Sequence, residues 1–316
     1  MAQSEKQVSL VIPLYNEEEM MPILIEKLEE FRSKNSVISE VIFINDGSRD
    51  KTEALVYELT STLTGYHLIN FSRNFGHQIA VTAGLDFVTT DAAIIMDADL
   101  QDPLDTAGKM IEKWQNGYDV VYGVRKERDG ESVFKKATAS LFYRFFKWIT
   151  DLDIPLDTGD FRLLDKKVIK AYQSVSEQQP FVRGLITWLG YDQIGIEYHR
   201  ESRKAGETKY PLKKMIRLAL NAITSFSDKP LRIATQVGTI LSILAFIGIL
   251  WVFYVRLFMD TAVPGWASSL LITLFLGGVQ ILFLGIIGAY LARIYGEVRH
   301  RPRYLLKNSW KSDGTK

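Results

Sequence analysis

The chain has no cysteine. Disulfides, zinc–thiolate centres and thiol nucleophiles are therefore excluded. Histidine is scarce, and the four present, His67, His77, His199 and His300, are too scattered to suggest a zinc site. Charge of one sign is also missing: 38 basic residues meet 37 acidic ones, leaving a net charge of +1. A nucleic-acid binder would carry a basic excess, so nucleic acid is not expected as a partner. The first residues are polar up to Val8, and no apolar leader is expected there. The one composition in surplus is confined to the C-terminal part, where about 231–295 is strongly apolar while 1–230 reads as a soluble domain.

One stretch organises that domain, Ala92-Ala93-Ile94-Ile95-Met96-Asp97-Ala98-Asp99-Leu100-Gln101-Asp102. A continuous apolar run predicts a strand buried on both faces. Its carboxylates then fall at the C-terminal strand edge, where open α/β sheets bind ligands. Asp97 and Asp99 are two apart, with the small Ala98 between them. A backbone turn there lets both face one hard cation, Mg²⁺ or Mn²⁺, with substrate phosphates completing the shell. The plain alternative for an isolated Asp-x-Asp is a solvated acidic loop.

Around this stretch strands and helices alternate. Strands are predicted at Val8–Ile12, Val41–Ile44, His67–Phe71 and Tyr118–Val124, and helices at Met21–Phe31, Thr52–Leu63, Gly76–Phe87 and Leu104–Trp114. The order implies βαβ units, a mostly parallel sheet and right-handed crossovers that bring the strand-end loops to one edge. Those loops carry Pro13-Leu14-Tyr15-Asn16-Glu17-Glu18, Asn45-Asp46-Gly47-Ser48-Arg49-Asp50 and Ser72-Arg73-Asn74-Phe75-Gly76. Singly, Asn16 reads as a helix cap and Asp46-Gly47 as a turn pair. Together, an aromatic, carboxylates and a cation suit a nucleoside diphosphate.

These three motifs, in this order and spacing, resemble the signatures of family 2 glycosyltransferases of the GT-A fold. The run Ser72-Arg73-Asn74-Phe75-Gly76-His77-Gln78 is similar to that of the polyprenyl-phosphate sugar transferases, among them dolichyl-phosphate mannose synthases and bacterial bactoprenol glucosyltransferases. The resemblance covers nearly the whole chain. It implies a nucleotide-sugar donor, an inverting transfer and a divalent metal, Mg²⁺ or Mn²⁺. It places Pro13, Tyr15, Glu17, Asp46 and Ser48 around the nucleotide, and Asp97, Asp99 and Gln101 at the metal and diphosphate, with Asp97 and Asp99 as the metal ligands. In the family the segment Asp157-Thr158-Gly159-Asp160 lies at the sugar pocket, so Asp157 is assigned beside Asp99 as catalytic, with Asp160 second. The run from His199 to Tyr210 is similar to a basic loop closing over donor phosphate, giving Arg200 and Lys209, with a solvated charged linker as the plain reading.

The membrane part stands without the family. Residues 233–257 and 267–294 are each long and apolar enough to cross a bilayer. Arg232 precedes the first, and Arg293, Arg299, Arg301, Arg303 and Lys307 end or follow the second. The positive-inside rule then predicts a multi-pass protein of the plasma (inner) membrane, with the catalytic domain, both termini and a basic tail at 296–316 in the cytoplasm. Gly238/Ser242, Gly285/Ala289 and Gly288/Ala292 have small-xxx-small spacing, for packing within the hairpin or between subunits. A homo-oligomer is expected, with a tetramer as the guess. Amphipathic basic and aromatic helices at about 132–150 and 210–227 are expected in the headgroup plane.

A phosphate monoester is already anionic at neutral pH, so as acceptor it needs positioning cations more than a general base. By resemblance to mannose synthases, Arg125, Lys136 and Ser140 are the acceptor-phosphate residues, with Lys135 an alternative to Lys136. Lys136 and Ser140, four apart, share a face on a helix. The expectation is transfer of glucose from UDP-glucose to a polyprenyl phosphate such as undecaprenyl phosphate. Alternatives are a mannose or 4-amino-4-deoxy-arabinose transferase of the same family, or a non-catalytic lipid-binding scaffold. A processive synthase is disfavoured: Gln179-Pro180-Phe181-Val182-Arg183-Gly184 lacks the Gln-x-x-Arg-Trp form, and two spans are too few for a channel.

Overall fold

The computed structural model describes residues 6–125, 149, 158–199, 227–258 and 265–311. Eight strands form one sheet: β1 (Val8–Leu14), β2 (Ile38–Asn45), β3 (Tyr66–Phe71), β4 (Ala92–Ile95), β5 (Val120–Arg125), β6 (Thr158–Asp165), β7 (Gln193–Tyr198) and β8 (Leu306–Lys311). Their order across the sheet is β7-β5-β6-β4-β1-β2-β3-β8. Helices α1 (Met21–Lys34), α2 (Thr52–Thr60), α3 (His77–Asp86) and α4 (Leu104–Gln115) alternate with the first five strands. Two further helices, α5 (Lys166–Gln173) and α6 (Val182–Trp188), follow β6.

The parallel core matches the sequence reading. β1 pairs in parallel with β2 and β4, and β2 with β3. Every residue of β1 and β4 is buried, as continuous apolar runs require of strands covered on both faces. α1 buries Met21, Leu24, Ile25, Leu28 and Phe31, one stripe at helical spacing. α3 approaches the sheet closely at Gly84, where a Cβ would lie 2.3 Å from Val11 Cγ1 and 2.7 Å from Ile44 Cδ1. That contact seats α3 with its N-terminus at the strand-end edge. α2 stops at Thr60, short of the predicted Leu63, and the chain turns at Gly65 with φ +77.

Three strands lay outside the predicted alternation. β6 runs antiparallel between β4 and β5, so the sheet is mixed. β5 therefore ends, and β6 begins, at the same edge where β1–β4 end. β8 comes from the segment read as a basic tail and pairs antiparallel with β3. Its sequence, LKNSWK, is polar and exposed on an edge, so it carries no apolar signature.

A separate unit holds two long helices, α7 (Lys229–Phe258) and α8 (Trp266–Val298). Their candidate spans, Lys229–Gly248 and Phe275–Val298, have mean hydropathies of 1.6 and 2.0, and of their described residues only Ala234 is buried. A core helix of a soluble protein would be buried instead. Phe246, Trp251, Phe253 and Leu284 are all exposed, as lipid-facing side chains would be. The proposed interface helices at 132–150 and 210–227 lie outside the described residues, Ile149 and Ser227 excepted.

Candidate active site

The loops after β1 and β2 are stitched together by backbone groups. Asn16 takes a left-handed conformation, φ 54, which asparagine tolerates better than most residues. Its N–H donates to Ser48 Oγ at 3.0 Å, and its Oδ1 accepts from the Arg49 N–H at 2.9 Å. The capping role open to Asn16 is not the one used: α1 has Met20 at its N-cap with no side-chain bond. The Glu17 N–H donates to Thr52 Oγ1, and the Glu18 N–H to Asp50 Oδ2. Pro13 is buried at the end of β1, and Tyr15 is half-buried just beyond it.

Asp46 ties in the loop after β3. Its buried carboxylate accepts from the N–H groups of Phe75 at 2.6 Å and Gly76 at 3.0 Å. Burial pushes this carboxyl up, against the pull of those two bonds. Gly47 presses on the same loop, with φ +64 and a hypothetical Cβ only 2.4 Å from the Arg73 carbonyl carbon. Only glycine fits that approach.

The other half of the edge is charged. Asp97 is partly exposed, at 35%, just past β4. Asp99 Oδ1 accepts from the Gln101 N–H at 3.1 Å, and Leu100 between them has φ 52. A left-handed leucine costs roughly 1–2 kcal/mol, and strain of this kind gathers at functional loops. Gln101 is buried. Burial raises the Asp97 carboxyl; His77 opposes this, while Asp160 and Asp99 add to it.

Asp160, on β6, collects three donors. Oδ2 accepts from Gln78 Nε2 at 3.0 Å and lies 3.1 Å from His77 Nε2. Oδ1 accepts from Arg183 Nε at 2.7 Å. Asp160 is buried, which alone would raise its carboxyl, yet Arg183 and His77 hold it well below the usual range. His77 Nε2 also lies 3.7 Å from Asp97 Oδ1. Burial works against its charge, but Asp160 and then Asp97 prevail and raise the imidazole to about 9. These carboxylates thus favour the protonated form of His77 beside Asp97. Gln78 Oε1 accepts from the Val182 N–H, fixing α6 to the same cluster.

Arg125 ends β5 at this edge. Its Nε donates to Tyr198 Oη at 3.3 Å, and Tyr198 donates to the buried Asp102 at 2.5 Å. The guanidinium packs over Gly159, where a Cβ would lie 2.6 Å from Nη2.

The fold therefore brings Asp97, Asp99, Gln101 and Arg125 to one edge, with Pro13 near the end of β1 and Tyr15, Glu17, Asp46 and Ser48 just past the ends of β1 and β2. Lys136, Ser140, Asp157, Arg200 and Lys209 lie outside the described residues, as does Lys135. Sequence reasoning left His77, Gln78 and Arg183 without roles, although each sits in a quoted motif. Their shared partner Asp160 is 83, 82 and 23 residues away respectively.

Among the described residues no three His, Cys, Asp or Glu side chains are grouped to hold a metal. Two carboxylates two residues apart still fit Mg²⁺ or Mn²⁺. Such ions are commonly held by one or two carboxylates, the rest of the shell being water and substrate phosphate.

The family described as glycosyl transferase family 2 matches residues 9–173. The chain is 46% identical over 304 residues to the uncharacterized glycosyltransferase YkcC of Bacillus subtilis (strain 168), covering 96% of this chain and 94% of that protein. It is 40% identical to the prophage bactoprenol glucosyl transferase homolog of Escherichia coli (strain K12), covering 95% and 98%. It is 39% identical to the bactoprenol glucosyl transferase of Shigella phage SfV, covering 95% and 98%. Among solved structures, glucosyl-3-phosphoglycerate synthase from Mycobacterium tuberculosis, in complex with Mn²⁺, UDP-glucose and phosphoglyceric acid, is similar at a TM-score of 0.50 and 16% identity. It covers 69% of this chain and 78% of its own, and speaks to the fold alone. Matched over more than half its length by the family and at 39–46% identity by full-length relatives, this chain belongs to glycosyl transferase family 2.

Proposed function

We propose that this chain transfers glucose from UDP-glucose to the phosphate of a polyprenyl phosphate, such as undecaprenyl phosphate, with inversion at the anomeric carbon. One observation carries this reading. Relatives named for bactoprenol glucosyl transfer match about 95% of the chain, so the match takes in both the charged strand edge and the two long helices.

A lipid-phosphate oxygen attacks C1 of the sugar, the C1–oxygen bond to the diphosphate breaks, and UDP leaves. The acceptor oxygen arrives deprotonated, so positioning dominates over base catalysis. Arg125 offers a planar fork to that phosphate, with Lys136 and Ser140 as its partners in the assignment. Asp97 and Asp99 would hold Mg²⁺ or Mn²⁺, which supplies charge for the leaving diphosphate. His77, held by Asp160, orients Asp97. Gln101, Arg200 and Lys209 are assigned to the donor phosphates, and Pro13, Tyr15, Glu17, Asp46 and Ser48 to the nucleoside. Asp157 is assigned to the sugar or the attacking oxygen.

Both long helices are taken to cross the plasma membrane, with 1–230 and the C-terminal segment cytoplasmic. The order of the chain supports this: it leaves the sheet after β7, passes through the two long helices and returns to the same sheet as β8. The open faces at Gly238, Gly285 and Gly288, where a Cβ meets nothing within 4 Å, support a homo-oligomer, with a tetramer as the proposed state.

The test is a panel of radiolabelled nucleotide sugars incubated with undecaprenyl phosphate and the detergent-solubilised chain. Organic-phase label is expected from UDP-glucose. Label from GDP-mannose or an aminoarabinose donor instead would move the activity within the family. No label from any donor, with metal present, would leave a lipid-binding scaffold.

A further inference from the structure

Three asparagines stand at one register level across three neighbouring strands. Asn45 on β2 is the register partner of Asn70 on β3, and Asn70 that of Asn308 on β8. Their side chains join head to tail. The Ser48 N–H donates to Asn45 Oδ1 at 3.0 Å. Asn45 Nδ2 donates to Asn70 Oδ1 at 2.8 Å, and Asn70 Nδ2 to Asn308 Oδ1 at 2.6 Å. Asn45 and Asn70 are buried, while Asn308 closes the row at the exposed edge. Beyond Ser48 the contacts run on through its Oγ to the Asn16 N–H, and from Asn16 Oδ1 to the Arg49 N–H.

Asparagine is depleted in strands, so three in register are a poor means of merely docking a strand. Other groups serve that end: Trp310 packs edge-on against Tyr57, and Lys307 pairs with Glu53 at 3.0 Å. What the asparagines add is direction. Buried amides must be paired, and an aligned row polarises each member in turn. Fixing the outermost acceptor therefore fixes the loop that begins at Asn45.

We propose that Asn308 and Asn70 are positioning residues for donor binding. The strand that follows the second long helix holds the 45–50 loop through this row, and so sets the affinity for a nucleoside diphosphate. This rests on the donor-site reading above. The acceptor at 308 needs only an oxygen, whereas residue 70 must both donate and accept. That asymmetry is the signature to test.

The experiment titrates UDP calorimetrically into the full-length chain in detergent and, separately, follows amide hydrogen exchange across residues 45–50 without nucleotide. Asn308→Leu keeps the shape but leaves the Asn70 amide facing an apolar group. It should weaken UDP binding about fivefold, the low end for an unpaired buried donor, and speed exchange in the loop. Asn308→Asp keeps the acceptor and should stay within about twofold of wild type. Asn70→Leu removes both the donor and the acceptor in mid-row and should match or exceed the loss in Asn308→Leu. Lys307→Ala, which removes the exposed ion pair on the same strand, should change neither readout. Unchanged exchange and affinity in Asn308→Leu, or an equal loss in Asn308→Asp, would overturn the proposal. If the wild-type chain fails to bind UDP while exchange follows the predicted pattern, the donor reading falls and the row's hold on the loop stands.

Discussion

The loops after β1, β2 and β3 and the segments around β4, β5 and β6 share one edge of the sheet but are built by opposite means. In the first half, the asparagine row apart, loop side chains are spent on backbone. Asn16, Asp46, Ser48 and Asp50 each bond main-chain N–H groups of a neighbouring loop. In the second half, side chains bond one another. Asp160 gathers His77, Gln78 and Arg183, and Arg125 reaches Asp102 through Tyr198. A surface made rigid by backbone bonds is suited to binding a fixed shape. A cluster of mutually paired charges is suited to stabilising charge that moves during reaction. Substitutions in the first half should therefore change donor affinity, and those at Asp97, Asp99 and Arg125 in the second should change turnover or acceptor use.

The largest break in that contrast is expected at Asp97 and Asp99. Either changed to alanine should lower transfer by about a thousandfold, as loss of several kcal/mol of charge stabilisation predicts. Thermal unfolding should stay close to wild type. Turnover near normal in excess metal would remove both residues from the metal site.

Gly47→Ala probes the opposite half. The positive φ and the 2.4 Å approach to Arg73 force the loop to shift. UDP affinity should fall about thirtyfold, equivalent to roughly 2 kcal/mol of strain passed to the binding loop, with kcat at saturating donor nearly unchanged. A kcat effect without an affinity effect would reverse the assignment of the two halves.

Arg125 sharpens the contrast within the charged half. Arg125→Ala should raise the KM for polyprenyl phosphate about tenfold, and Arg125→Lys less, because lysine lacks the planar fork. UDP binding by calorimetry should move by less than about twofold, since no donor phosphate is assigned to Arg125. Lost UDP affinity with intact acceptor KM would mean the two phosphate sites are exchanged.

The smallest effect is one of pH. His77 is raised from 6.5 to about 9 in the folded chain, so folding favours its protonated form. Its stabilising contribution is whole below pH 6.5 and is lost as pH rises through about 9. In the metal-free chain, wild type should lose stability across that window relative to His77→Gln, measured by denaturant unfolding at each pH. Parallel curves for the two proteins would show that the charge on His77 does not matter to the fold.

Much of this is legible in the sequence. Apolar runs that end in Pro13, Asn45 and Asp97 announce buried strands with polar mouths, because covering both faces of a strand leaves no room for alternation. Lengths near 30 residues with almost no charge announce α7 and α8. β8 was not legible: an edge strand needs no apolar face, and Asn308 meets Asn70 across 238 residues.

Local pattern, composition and motif spacing by themselves determined the parallel core, the edge that carries Asp97 and Asp99, and the two apolar helices, since each is a property of neighbouring residues. Tertiary structure alone decided that β6 runs antiparallel between β4 and β5 and so delivers Asp160 to His77. It alone decided that Arg183 completes that charge cluster, and that the C-terminal segment closes the sheet beside β3, reaching Asn45 through Asn70. Those contacts join residues 23 to 238 positions apart. Strand order and direction decide such contacts, and these follow from how the whole chain packs rather than from any window of it.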